Sequence, residues 1–104
     1  MCEYEVIIKH GNGFVVRCQH CGALNVAFGN IALSQHEDEF RSLHDLIRHE
    51  FYAHRRSHRP RVREIRVNTP LPCFQLLFSF EELHDLHQML TKAILILDSK
   101  KLVN

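Results

Sequence analysis

Two capped amphipathic helices, separated by an arginine-rich run and each preceded by apolar segments broken at Gly, Asn or Pro, predict an α+β domain. The strand segments are short and joined by tight turns, so the expected sheet is mostly antiparallel, with five or six strands and both helices on one face. A hairpin leads into each helix, so the chain has the pattern of a duplicated ββα unit, although no residue-by-residue register relates the halves. At 104 residues and 45% apolar content, one domain over residues 1–104 with one core is expected.

Tyr4 to Lys9 and Phe14 to Arg17 are β-branched and aromatic around His10-Gly11-Asn12-Gly13, which predicts a hairpin with Lys9 opposite Phe14. An uninterrupted register then sets Glu5 opposite Cys18 and Cys2 near Cys21. Leu24 to Phe28 and Ile31 to Ser34 form a second hairpin about Gly29-Asn30. A first helix is expected to begin near Ser34 or His36, where Ser34 and Glu37 fit a capping box; its apolar stripe is Phe40, Leu43, Ile47 and Phe51, and it ends between Tyr52 and Ser57. A fifth strand is expected over Arg61 to Val67, and a well-buried sixth over Cys73 to Ser79. Ser79 and Glu82 repeat the capping box before a second helix with Leu83, Leu86, Leu90, Ala93, Ile94 and Leu97 on its apolar face. Asp98 to Asn104 reads as an exposed tail.

Cys18-Gln19-His20-Cys21-Gly22, set between two strands, has the form of a zinc knuckle: two thiolates on a tight turn grip a tetrahedral ion. Cys2 is the best third ligand, with Cys73, His10, His20 and His36 as further candidates. Two other readings stand beside it. Cys18 and Cys21 also fit a hairpin turn with no metal, or a redox pair, although a redox pair normally has a helix starting at the motif and here a strand follows.

The run CQHCGALNVAFGNIALS, with the acidic helix start EDEF, resembles a small family of uncharacterised bacterial proteins of about this length. The resemblance covers most of the chain, the first half best. It implies a bacterial cytoplasmic origin and carries no assigned activity or catalytic residue.

The net charge of +1 conceals a polarity, because residues 48–66 hold seven arginines against two glutamates. Arg55, Arg56, Arg59, Arg61 and Arg63 therefore form a candidate surface for nucleic acid or for an acidic protein partner, the latter including a second copy of the chain. His44-Asp45 and His84-Asp85 look like dyads in the text, yet helix neighbours point about 100° apart, so these histidines are expected on the surface. No phosphate loop, nucleophile elbow or dinucleotide fingerprint occurs, which disfavours an enzyme. The acidic, alternating N-terminus and the lack of a long apolar run predict a cytoplasmic chain without a membrane partner. The functional expectation is a small binding or interaction module with a zinc-knuckle-like site. Nucleic-acid binding through residues 48–66 is the alternative, and a thiol-dependent redox enzyme ranks third.

Overall fold

The computed structural model describes residues 3–103, with side chains described up to residue 101. It has six strands and two helices: β1 (Tyr4–His10), β2 (Gly13–Cys18), β3 (Leu24–Phe28), β4 (Ile31–Gln35), α1 (Glu37–Ala53), β5 (Ile65–Asn68), β6 (Gln75–Phe78) and α2 (Phe80–Val103). The fold is α+β and every strand pairing is antiparallel. The strands divide into a four-stranded meander, β1-β2-β3-β4, and a separate β5-β6 ribbon. A hairpin precedes each helix. No helix is long and apolar enough to cross a membrane.

Alternation on β2 and β3 sets the inner face of the meander. Val15 pairs with Val26, and both are buried with Leu24 and Phe28. Phe40 and Ile47 from α1, Ile65 and Val67 from β5, and Leu83, Leu86, Met89, Leu90, Ala93 and Leu97 from α2 complete one core. At Gly13 the packing admits no side chain. A Cβ there would lie 2.5 Å from the Ala27 carbonyl oxygen and 2.8 Å from Met89 Sδ, so glycine lets α2 approach the sheet.

The structure corrects several expected boundaries. Lys9 does pair with Phe14, but a bulge between Val6 and Ile8 shifts the far end of the hairpin. Glu5 therefore faces Arg17, with which it forms a 2.8 Å ion pair, and Tyr4 faces Cys18. β4 stays paired to β3 through Gln35, so of the two expected starts α1 takes His36, and the Ser34–Glu37 box does not form. Its N-cap is His36, whose backbone N–H donates to Glu39 Oε1 at 2.8 Å. The expected Ser79–Glu82 box does form, with reciprocal bonds of 2.9 and 3.1 Å.

β5 and β6 are shorter than expected and form their own sheet. The chain ahead of them is tied to the start of α2 instead, where the Pro60 carbonyl accepts from Glu81 N–H at 2.9 Å and Arg63 grips Glu82. β6 is covered on one side only: Phe78 is buried, whereas Leu77 is 50% exposed and Phe74, just before the strand, is 53% exposed. The expected tail is helical through Val103. Arg41 holds Asp98 at 2.6 Å, Lys100 holds Glu5 at 2.7 Å and Lys101 holds Glu37 at 2.6 Å, so the last turns of α2 are tied to β1 and α1.

Candidate functional site

The cysteine turn is built by the end of β2. Cys18 is 1% exposed, and its backbone N–H donates to the Ala23 carbonyl at 2.8 Å while its carbonyl accepts from Gly22 N–H at 2.9 Å. Gly22 closes the turn at φ +78°, a conformation costly for a residue with a Cβ. Folding back in this way, the turn aims the Cys21 N–H at Cys18 Sγ, 3.4 Å away. Cys21 is exposed, and β3 follows the turn directly with no helix beginning at the sulfurs. Cys2, the expected third ligand, lies outside the described residues. Among the described residues no three His, Cys, Asp or Glu side chains form a group able to hold a metal ion, and Cys73 sits exposed on the loop before β6.

The basic run turns much of its charge onto the protein's own carboxylates. Arg59 pairs with Glu64, Arg61 with Glu81 at 3.6 Å, and Arg63 with Glu82 at 2.7 Å. Arg55 and Arg56 make no ion pair among the described residues. Arg56 and Arg59 line an open hollow of about 520 Å³ at the end of α1, together with His54, Ser57, His58 and Glu64.

An aromatic and histidine stack, not foreseen from the sequence, joins α1 to α2. The Phe51 ring stacks on His87 with centroids 4.6 Å apart and on Phe80 at 5.3 Å. His44 lies parallel to His87 at 6.1 Å, and its Nε2 is 3.0 Å from Thr91 Oγ1. His44 is therefore half-buried in the helix interface, contrary to the surface position expected from its neighbour Asp45. Burial, first of all, lowers the pKa of both His44 and His87. His84 does approach Asp85, at 3.5 Å, and both side chains are open to solvent. The visible signal was the spacing of His44, Phe51, His84 and His87, which means nothing until two helices are laid side by side.

A second feature beyond sequence reasoning is an apolar groove of about 480 Å³. Ile31, Leu33 and Gln35 of β4 form one wall, Leu43 and Leu46 of α1 the floor, and Val67, Leu71, Phe74 and Leu76 the other wall. No charged side chain lines it. Leu71 is 63% exposed and Phe74 more than half exposed, so the rim is apolar and open to water. The Gln35 Oε1 atom is buried with no hydrogen-bond partner.

These elements give the chain a knuckle-shaped cysteine turn and an open apolar groove. No curated protein and no solved structure matches the chain. A sequence profile for a family of unknown function, DUF6686, matches residues 1–100, and the chain belongs to that family.

Proposed function

We propose that this chain is a protein-interaction module whose docking surface is the groove between β4, α1 and the β5-β6 ribbon. The observation that carries this reading is a concave, uncharged trough with Leu71 and Phe74 left open on its rim. The cytoplasm of a bacterium is the proposed setting, supported by the family resemblance and by Cys21 and Cys73, which are exposed and in no disulfide. To test the docking surface, a displayed random-peptide library is panned on the wild type and on a Leu71→Arg/Phe74→Arg double variant. Both positions are exposed, so the variant should keep its stability to within about 0.5 kcal/mol. Peptides enriched on the wild type alone support the groove, and equal enrichment on both proteins removes it.

A second reading is favoured by the sulfur geometry: the cysteine turn binds one zinc ion through the Cys18 and Cys21 thiolates, with Cys2 as third ligand. The Cys18–Gly22 turn supports it, since it folds back so that the Cys21 backbone N–H lies 3.4 Å from Cys18 Sγ, the shape of a knuckle. Purified protein should then contain about one equivalent of zinc, and chelation should lower its melting temperature. Metal-free protein with the same melting temperature rules the site out.

A further inference from the structure

We infer that the groove takes an extended, uncharged peptide segment of another protein, added as a fifth strand along the free edge of β4; this rests on the interaction reading above. The two edges of the meander are built differently. The β1 edge is interrupted by the bulge at Val6–Ile8 and carries Glu5 and Lys9, with Glu5 engaged by Arg17 and Lys100. Bulges and charges of this kind keep other strands from pairing with an edge. β4 has none of these devices. Its sequence is Ile31-Ala32-Leu33-Ser34-Gln35, without charge, proline or glycine, and its pairing with β3 runs without a shift.

β4 pairs with β3 alone, and neither strand of the β5-β6 ribbon joins it, so one row of its backbone N–H and C=O groups faces away from the sheet beside the groove. A peptide backbone supplies N–H donors in a row, which suits this edge. The wall residues are uncharged, so the segment's inward side chains are apolar or neutral. Five residues of β4 run about 17 Å, enough for a segment with about three side chains pointing inward at every second position. A second copy pairing its own β4 edge across a two-fold axis is the competing occupant, which the oligomeric state tests.

The test uses a peptide from the library enriched on the wild-type chain, synthesised with single backbone N-methyl groups at each position in turn. Strand addition is expected to give a period-two pattern, with affinity falling at least about tenfold where a pairing N–H is lost and changing less than about twofold at the residues between. A peptide that depends on Leu71 and Phe74 yet tolerates N-methylation throughout, or loses affinity at helical spacing, overturns strand addition and leaves the interaction reading standing. A library with no binder that depends on Leu71 and Phe74 overturns both. Sedimentation showing a peptide-free dimer abolished by Leu71→Arg assigns the groove to a second copy and overturns the inference alone.

Discussion

Arg63 grips Glu82 with two guanidinium nitrogens, Nε at 2.9 Å from Oε1 and Nη2 at 2.7 Å from Oε2, while Oε1 also accepts from the Ser79 backbone N–H at 2.9 Å. One carboxylate thus caps α2 and ties the chain ahead of β5 to it. Ser79→Ala removes the cap hydroxyl that bonds Glu82 N–H and should cost about 1 kcal/mol in urea unfolding. Arg63→Ala should cost less, because Arg63 is largely exposed and solvent screens its ion pair. A larger loss for Arg63→Ala than for Ser79→Ala would show that the tether to the β5-β6 ribbon, and not the cap, dominates.

The pH dependence of stability should have two stages. His44 and His87 have pKa values below 6.5, first because burial disfavours the imidazolium, and further because Arg48 lies near both and His44 and His84 lie near His87; Asp45 opposes the shift at His44. The unfolded chain binds these protons more readily, so stability is full above about pH 6.5 and is lost as pH falls through the folded values. Glu5, Glu37, Glu82 and Asp98 are also lowered, each chiefly by a hydrogen-bonded Lys or Arg, which places a second loss below about pH 4.5. Urea midpoints measured from pH 8 to 3 should show both stages. A His44→Gln/His87→Gln variant should flatten the first and keep the second.

The alternative of a nucleic-acid surface on residues 48–66 can be tested by salt dependence. Arg59, Arg61 and Arg63 already meet carboxylates, so any phosphate contact should fall mainly to Arg55, Arg56 and Arg66, which make no ion pair among the described residues. If the run binds single-stranded DNA or RNA, affinity should fall steeply with salt, and Arg55→Ala/Arg56→Ala should reduce the log–log slope by about 1 to 2. No binding at low salt eliminates the alternative.

What the sequence determined by itself is local. Alternation and helical spacing identified β1 to β4, α1 and the start of α2, and the Ser79–Glu82 box was legible because its partners are three residues apart. The Cys18–Gly22 turn was legible for the same reason. Tertiary structure decided the rest, since it depends on pairs distant in the chain. The bulge at Val6–Ile8 moved Glu5 onto Arg17, and pairing through Gln35 overrode the Ser34 cap. Ion pairs from Asp98, Lys100 and Lys101 to α1 and β1 kept helical a segment whose own composition reads as a tail. The groove has no sequence signature at all. Leu33, Leu46 and Leu71 are ordinary apolar residues until packing the core leaves one edge of β4 uncovered beside them.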